Sequence, residues 1–341
     1  MGKKVLLAMS GGIDSSAAAV ILKNKGYEVT GYTFRIGGVT SEAVERAAGI
    51  CKKLGIPHIY DDITKPFNEK VIQYFKNEYE NGRTPNPCIR CNRDIKFGLI
   101  YDYTLKNGFD YVSTGHYASI IEDSGKFFLA KAIDYSRDQT YFLYVLKEEQ
   151  LKHVLFPLNG VPKSKARIIC EEAGLLPANS KESREICFVP DNYKQFLTEK
   201  LNANSKQGNF VSTDGKILGK HKGITNYTIG QRKGLGIYLG KPGYIVKIDA
   251  GSGNIVIGDE NDLFSDNFVI SDLSLVNGMI PKSDSLYVKI RYSAVQSRIK
   301  HIETVENDLR IYVDDRLRAA TPGQSAVIYN GDIVVGGGVI K

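Results

Sequence analysis

A short apolar run that leads into a glycine-containing loop and then into a helix is the feature that most constrains this chain. Residues 5–9 read Val-Leu-Leu-Ala-Met and are followed by Ser10-Gly11-Gly12-Ile13-Asp14-Ser15-Ser16. Such a run is typical of a buried strand in a parallel sheet. Gly11 and Gly12 let backbone N–H groups approach an oxyanion, and the positive end of the following helix faces the same anion. The sequence therefore predicts a phosphate-binding strand–loop–helix unit.

The chemistry of this loop differs from that of the two commonest phosphate-binding loops. No Lys follows the glycines, so the Walker pattern fails, and G-x-G-x-x-G does not fit either. Asp14 stands where a Walker loop carries neutral or basic residues. A carboxylate beside phosphates suits a site that holds Mg²⁺ or orients a leaving pyrophosphate. The alternative, a Gly/Ser turn without a ligand, is disfavoured by the length of the string and by the strand and helix around it.

Composition describes a globular chain with more than one domain. It has 341 residues, 42% of them hydrophobic and 24% charged, which predicts two or three domains. No apolar run is long enough to cross a membrane, and the N-terminus enters a strand at once, so we expect neither a membrane partner nor a signal peptide. Five Cys without secretory context indicate reduced thiols and a cytoplasmic protein. A net charge of +7 mildly favours a polyanionic partner.

The first part of the chain alternates strands with helices, which predicts an α/β fold with a parallel sheet. Strands are predicted at 3–9, 27–34, 57–60 and 111–114. Ligands bind at the carboxyl ends of such strands. The loop at residue 10, Phe34 and Gly115-His116 all follow strands, so we expect them to converge on one site. Residues 139–176 are predicted to be helical, with the last helix opening at residues 162–165, and residues near 181–197 are predicted to be irregular.

After residue 200 the sequence pattern changes from alternating strands and helices to short β runs separated by glycine-rich turns. We predict an N-terminal catalytic domain over 1–200, a small β-rich module over 201–265 and a closed C-terminal β-barrel over 266–341. Asn330-Gly331 is a hairpin signal between the last two strands.

Two cysteine regions are candidates for chemistry. Cys88 and Cys91 form a C-x-x-C pair at the start of a predicted helix, next to Arg90 and Arg93, so we expect their thiols to titrate below a free thiol. A zinc site would need a second pair, which the sequence lacks, so no metal-binding residues are predicted. Cys187 also follows an Arg, at position 184. Cys51 and Cys170 lie in apolar helical patterns and are expected to be core thiols.

Ten strings in one order resemble the tRNA-specific 2-thiouridylases, which belong to the ATP-dependent enzymes with a pyrophosphatase loop and place sulfur on C2 of the wobble uridine. They lie at residues 10–16, 82–87, 91–92, 95–97, 114–117, 138–143, 186–188, 228–236, 291–292 and 320–326. Two departures stand out. Cys88 occupies a position where many relatives carry Asp, and the segment 35–41 is shorter than theirs.

The resemblance implies roles for individual residues. Cys187 resembles the thiol that receives sulfur as a persulfide, and Cys91 its partner catalytic thiol, with Asp14 in the loop as the third catalytic residue. ATP, with Mg²⁺, is expected to contact Ala8, Met9, Ser10, Gly11, Gly12, Ile13, Asp14, Ser15, Ser16, Phe34 and Gly115. The tRNA is expected to contact Asn86, Pro87, Cys88, His116, Arg137, Asp138, Gln139, Arg291, Tyr292 and Gln324.

The implied reaction activates the uracil O2 by adenylation and then replaces it with sulfur. Cys91 would attack the persulfide on Cys187, which leaves a Cys91–Cys187 disulfide for a reductant. In another route Cys91 acts as an acid–base catalyst, and hydrosulfide attacks C2 of the uracil. A sulfur donor or relay protein is an implied partner. Two further alternatives stay open: an iron–sulfur cluster held by Cys88, Cys91 and Cys187, and a tRNA-binding protein without catalysis.

Overall fold

The apolar run at the N-terminus forms the central strand of a five-stranded parallel sheet. The computed structural model describes residues 2–36, 41–175, 186–189, 192–240 and 242–341. Its strands are β1 (Lys4–Ala8), β2 (Glu28–Arg35), β3 (His58–Asp62), β4 (Tyr111–Ser113), β5 (Ser119–Asp123), β6 (Lys126–Ala130), β7 (Val154–Leu155), β8 (Gly208–Ser212), β9 (Ile217–His221), β10 (Tyr244–Asp249), β11 (Asn254–Gly258), β12 (Phe264–Leu275), β13 (Leu286–Lys289), β14 (Ser297–Val305), β15 (Asp308–Arg318), β16 (Ser325–Asn330) and β17 (Ile333–Ile340).

The helices lie mostly in the first half of the chain. The α-helices are α1 (Ile13–Asn24), α2 (Ser41–Leu54), α3 (Thr64–Phe67), α4 (Gln73–Glu80), α5 (Pro87–Cys91), α6 (Ile100–Lys106), α7 (Glu148–Leu151), α8 (Lys163–Glu172) and α9 (Tyr193–Gln195). Wider π-helical turns span Asn68–Ile72, Asn92–Leu99 and Phe196–Lys200. Single 3₁₀ turns span Tyr135–Arg137, Thr140–Phe142, Ile224–Asn226 and Glu260–Leu263.

The first sheet has the order β3-β2-β1-β4-β7, and every neighbouring pair is parallel. Val5, Leu6 and Leu7 are fully buried because β1 lies at the centre of the sheet. The order reverses at β1, which is extended on one side by β2 and on the other by β4. Loops that follow β1 and β4 therefore meet at the carboxyl edge, where parallel α/β sheets bind ligands. The predicted α/β class is confirmed.

Two predictions for local structure are wrong. Residues 139–176 are not continuously helical, since β7 adds a fifth strand to the sheet within this stretch. Two residues are too short for a strand to show its period of two in the sequence. Of the stretch 181–197, residues 181–185 and 190–191 lie outside the described residues, and Tyr193–Gln195 begins a helical segment instead of an irregular one. The short segment after β2 also falls largely outside them, at residues 37–40.

The remaining strands form two further sheets. The central module has the order β10-β11-β8-β9 and buries Phe210, Ile245 and Ile255 completely. The C-terminal strands run β12-β15-β14-β13-β16-β17, and β12 also pairs with β17, so the six strands close into the predicted barrel. The hairpin of β5 and β6 joins this sheet through the pair Ala130 and Ile333, which the sequence did not indicate.

The barrel packs directly on the loop that precedes α5. The amide of Thr84 donates to the carbonyl of Pro322 over 2.9 Å, and Nε2 of Gln324 donates to the carbonyl of Thr84 over 2.8 Å. Gly323 has a φ of 91°, and a Cβ there would lie 2.9 Å from the nitrogen of Thr84. Glycine is needed at this position for both its conformation and the close approach. The barrel thereby fixes the backbone that leads into Cys88 and Cys91.

Candidate active site

The loop after β1 is closed by its own hydroxyl groups. The hydroxyls of Ser15 and Ser16 donate to the carbonyl of Gly12 over 3.0 and 2.8 Å. The hydroxyls of Ser10 and Ser15 lie 3.3 Å apart. Gly11 has a φ of 73°, and a Cβ at this position would lie 3.0 Å from the carbonyl of Ala43. These contacts turn the chain sharply into α1 and aim the first N–H groups of the helix at the carboxyl edge of the sheet.

Asp14, in the first turn of α1, is held by two other elements. Nζ of Lys163, the first residue of α8, lies 2.7 Å from each of the two carboxylate oxygens. The hydroxyl of Tyr117 donates to Oδ1 over 2.8 Å. The side chain of Lys163 is 17% exposed and that of Asp14 is 34% exposed, so water screens this ion pair only in part. Asp14 is therefore fixed in orientation beside a cation that sequence reasoning missed.

Gly115 brings the loop after β4 against the start of α1. A Cβ at Gly115 would lie 2.9 Å from both the carbonyl carbon of Asp14 and the nitrogen of Ser15. Phe34 lies near the end of β2, half-buried and in register with Asp61 of β3. Ala8 ends β1 opposite Tyr32, and Met9 and Ile13 are buried. The expected ATP-contacting residues thus lie along one edge of the sheet.

The thiols do not have the environment that the sequence indicated. Burial raises the pKa of Cys91 to about 12, and burial also raises the pKa of Cys88 and of Cys187 above the usual range of a thiol. Cys91 is buried, whereas Cys88 and Cys187 reach the surface although protein surrounds much of each residue. The prediction that the α5 thiols titrate below a free thiol is therefore wrong.

The neighbouring arginines explain this difference. Arg90 pairs with Asp94 over 2.6 Å, and Arg93 pairs with Asp94 over 3.2 Å and with Asp272 over 2.8 Å. The positive charges of Arg90 and Arg93 are paired with carboxylates and do not stabilise a thiolate. Arg184 lies outside the described residues. Cys51 and Cys170 are buried, as expected of core thiols, and all five cysteines are unbridged.

Lys96 is the cation that acts on the thiol cluster of Cys88, Cys91 and Cys187. Its charge lowers the pKa of each of these three thiols, against the larger effect of burial. Lys96 lies in the π-helical turn Asn92–Leu99, five residues after Cys91. Cys187 and Cys88 each raise the pKa of Cys91, and Cys88 raises the pKa of Cys187, so the three thiols are close enough to interact.

His116 links the thiol cluster to the ATP loop. It follows Gly115 directly, and its Nδ1 lies 2.7 Å from the hydroxyl of Thr114. Burial and the charge of Lys96 lower its pKa well below the usual range, so the ring is neutral. The ring packs near Phe97 and Phe156 with centroid separations of 6.3 Å to each. A neutral ring between phosphate loop and thiols can donate or accept a hydrogen bond without adding charge.

Some of the residues expected to contact tRNA have side chains that are hydrogen-bonded within the protein, and others do not. Asp138 is buried, and its carboxylate accepts from the amides of Ala132 and Thr140 and from the Thr140 hydroxyl over 3.1, 3.4 and 2.6 Å. Oε1 of Gln139 accepts from the amide of Tyr117 over 3.0 Å. Both side chains therefore organise the local backbone in this structure. Arg137 is exposed, and Asn86 begins α5 without a side-chain cap, ahead of the buried Pro87.

The barrel residues of this set lie at the junction with the catalytic part. Gln324 binds the carbonyls of Thr84 and Pro85, as its amide nitrogen lies 2.8 and 3.4 Å from them. Nη2 of Arg291 donates to the carbonyl of Ala319 and the hydroxyl of Thr321 over 2.7 and 2.8 Å. Tyr292 is 39% exposed and lies 4.7 Å from the ring of Phe142 between centroids.

Sequence reasoning missed Lys163, Tyr117 and Lys96. Lys163 opens a helix that the sequence indicated, but nothing in the sequence shows that this helix N-terminus meets α1. Within the described ranges, no three His, Cys, Asp or Glu side chains are grouped so that they could hold a metal ion. A helix with the length and apolar character to cross a membrane is likewise absent from the part of the chain that the structure describes.

Replacing Lys96 should shift the reactivity of the thiols to higher pH. Lys96→Met removes the positive charge that favours the thiolates, so the pKa of Cys88 and Cys187 rises further and less thiolate is present at neutral pH. The rate of alkylation by iodoacetamide, followed for each Cys-containing peptide by mass spectrometry from pH 6 to 10, measures the shift. Lys106→Met, in the exposed last turn of α6, is the matched control. An unchanged pH profile in Lys96→Met would show that this ammonium does not act on the thiols.

Comparison with protein families matches nearly the whole chain. Residues 3–191 match a model described as the tRNA methyl transferase HUP domain, and residues 194–259 match the tRNA methyl transferase PRC-barrel domain. Residues 265–340 match the aminomethyltransferase beta-barrel domain.

Curated relatives cover the chain from end to end. The chain is 46% identical to the tRNA-specific 2-thiouridylase MnmA of Acetivibrio thermocellus, over 99% of each chain. It is 44% identical to the tRNA-specific 2-thiouridylase MnmA of Clostridioides difficile, over 100% of this chain and 99% of that one. A solved 4-thiouridine synthetase–RNA complex with bound ATP is 20% identical, with a TM-score of 0.39, over 51% of this chain and 41% of that chain.

Proposed function

Because the chain belongs to the family of tRNA-specific 2-thiouridylases, we propose that it is an ATP-dependent enzyme that replaces the C2 oxygen of a tRNA wobble uridine with sulfur. The observation that carries this proposal is the continuity of the candidate active site. The ATP loop contacts Gly115, His116 follows it, and Lys96 acts on both His116 and the thiol cluster. These links support one site in which phosphate chemistry and sulfur chemistry are neighbours.

ATP makes the uracil oxygen a leaving group. The C2 carbonyl is a poor electrophile, so we propose that its O2 attacks the α-phosphate of ATP and that pyrophosphate leaves. The N-terminal N–H groups of α1 and the Ser10–Ser16 loop bind the departing pyrophosphate. Lys163 supplies positive charge at the same place, because it is held 2.7 Å from the Asp14 carboxylate. The Asp14 carboxylate orients the Lys163 ammonium, and this ammonium offsets the negative charge that Asp14 would otherwise place beside the phosphates.

Mg²⁺ is part of the proposal only as a partner of the nucleotide. The loop offers a divalent ion one carboxylate, which already accepts from Lys163 and Tyr117. Mg²⁺ commonly binds through one or two carboxylates together with phosphate oxygens. A bound ion would neutralise phosphate charge next to Asp14.

The two thiols divide the sulfur step between them. We propose that exposed Cys187 accepts persulfide sulfur from a donor protein, since the donor must reach it. Cys91 then attacks the inner sulfur, which forms a Cys91–Cys187 disulfide and releases the terminal sulfur as hydrosulfide. The hydrosulfide attacks C2 of the adenylated uridine, and the C2–O bond breaks with release of AMP. A reductant restores both thiols. Burial raises the pKa of Cys91, and the charge of Lys96 favours the thiolate that the attack requires.

The remaining expected contacts belong to tRNA binding. Asn86 and Pro87 directly precede Cys88 at the start of α5, and we propose that a wobble base turned out of its stack binds beside them. Arg137, Arg291, Tyr292 and Gln324 lie toward the barrel. We propose that the domains 201–265 and 266–341 hold the tRNA while domain 1–200 carries the chemistry.

Nucleoside mass spectrometry tests the proposal directly. Incubation with tRNA, ATP, Mg²⁺ and a persulfide donor should give wobble uridine with sulfur in place of one oxygen. Cys187→Ser and Cys91→Ser should each abolish the product and retain tRNA binding, whereas Cys51→Ser and Cys170→Ser should act only through stability.

Loss of thiolation in none of the four variants would exclude the thiol relay. Absence of product from the parent protein that still binds tRNA would favour a binding protein without catalysis. A methylated nucleoside would show that the chain transfers a methyl group instead of sulfur.

Cys88 separates the relay from a cluster-dependent reaction. Since many relatives carry Asp at this position, we propose that Cys88 is a neighbour of the active thiols and no ligand. Cys88→Asp should stay active, somewhat slowed because a carboxylate raises the pKa of Cys91. Activity and iron content, measured on the same samples together with Cys88→Ala, check this. Inactive, iron-depleted variants beside an active, iron-loaded parent would contradict the relay.

A further inference from the structure

Three arginines from distant parts of the sequence lie at the junction between the central module and the barrel. They are Arg232, in the glycine-flanked turn after Gln231, Arg318, at the end of β15, and Arg291, just after β13. The guanidinium carbons of Arg232 and Arg318 lie 6.0 and 5.5 Å from the centroid of the same ring, Tyr244. Nη2 of Arg291 donates over 2.7 Å to the carbonyl of Ala319, the residue after Arg318, and the charge of Arg318 lowers the pKa of Arg291 after the larger effect of burial. These residues are called the arginine triad below.

The triad carries more positive charge than its surroundings neutralise. Arg318 approaches Glu260 at 3.6 Å, and that carboxylate is 58% exposed. Arg291 donates to a carbonyl and a hydroxyl, and within the described ranges neither it nor Arg232 pairs with a carboxylate. Lys233, beside Arg232, is exposed as well. Three guanidinium groups against one exposed carboxylate leave an excess of about two positive charges, which an anion would stabilise.

The backbone is shaped to keep these groups together. Ala319 is buried and has a φ of 55°, in the left-handed region that L residues rarely adopt. This turn places the Ala319 carbonyl on Arg291 while Arg318 faces the central module. Gly230 has a φ of 86°, and a Cβ there would lie 3.8 Å from Nη1 of Arg318. The turns at Gly230 and Ala319 thus lie next to each other, which keeps Arg318 close to the turn of Arg232 and to Arg291.

We propose that the arginine triad binds backbone phosphates of the tRNA substrate and joins the central module to the barrel as one tRNA-binding surface. This inference rests on the proposed function for the identity of the RNA. Arginine forks bind phosphate oxygens through two parallel hydrogen bonds, and Tyr244 keeps two of the forks in place. Phosphate contacts position the tRNA without reading its sequence, so the triad sets affinity and register while the thiol cluster meets the base.

Salt dependence of tRNA binding tests the triad. Each neutralised phosphate contributes about one to the slope of log K against log salt concentration. Arg318→Gln and Arg232→Gln should each lower the slope by about one, and the double variant by about two. Arg318→Lys should retain most of the slope because charge is kept. Glu260→Gln should strengthen tRNA binding, since it removes the competing carboxylate.

Arg298→Gln is the matched control, since Arg298 pairs with Asp314 elsewhere on the barrel and should leave the slope unchanged. Thermal unfolding of each variant separates a folding defect from a binding defect. The triad is excluded if Arg318→Gln and Glu260→Gln both leave slope and affinity unchanged while the parent binds and thiolates tRNA. A parent that neither binds nor thiolates tRNA would instead contradict the proposed function.

Discussion

The carboxylate of Asp14 is the contact on which the candidate active site depends. It joins three elements that are far apart in sequence: α1 carries Asp14, the loop after β4 supplies Tyr117, and α8 supplies Lys163. Without this carboxylate, Lys163 would lose its partner at the mouth of the phosphate loop. The ion pair thus delivers a cation to a loop whose own sequence has none. This solves by tertiary structure what the Walker loop solves with a neighbouring Lys.

In the thiol cluster, burial has a larger effect on the thiol pKa than the neighbouring positive charge. Burial disfavours thiolates and raises the pKa of Cys91 to about 12, and Lys96 offsets this only in part. Protonated thiols are poor nucleophiles, so the proposed attack by Cys91 requires its ionised form, which the charge of Lys96 favours. The barrel contributes through Gln324 and Gly323, which hold the backbone of Thr84 ahead of α5. The barrel is therefore connected through these contacts to the backbone that leads into Cys88 and Cys91.

The architecture was readable from the sequence because its signals are local. The apolar run before Ser10 and the helix after it predicted the central strand and α1 directly, and the late β runs predicted a closed barrel. The ion pairs were not readable, because Lys163 lies 149 residues from Asp14 and Asp272 lies 179 residues from Arg93. The same long-range pairs explain why the expected low thiol pKa was wrong. Arg93 is adjacent to the thiols in sequence, yet its charge is satisfied by a carboxylate of the barrel.

Isotope labelling of the uridine oxygen tests the central claim most directly. The account requires that O2 of the wobble uridine attacks the α-phosphate and leaves with AMP. A tRNA carrying ¹⁸O at this O2, thiolated with ATP and a persulfide donor, should therefore yield AMP with one ¹⁸O per thiolated uridine, and unlabelled pyrophosphate. Mass spectrometry of the nucleotide products reads the result. Label in inorganic phosphate or pyrophosphate, or in solvent water with unlabelled AMP, would contradict adenylation at this loop.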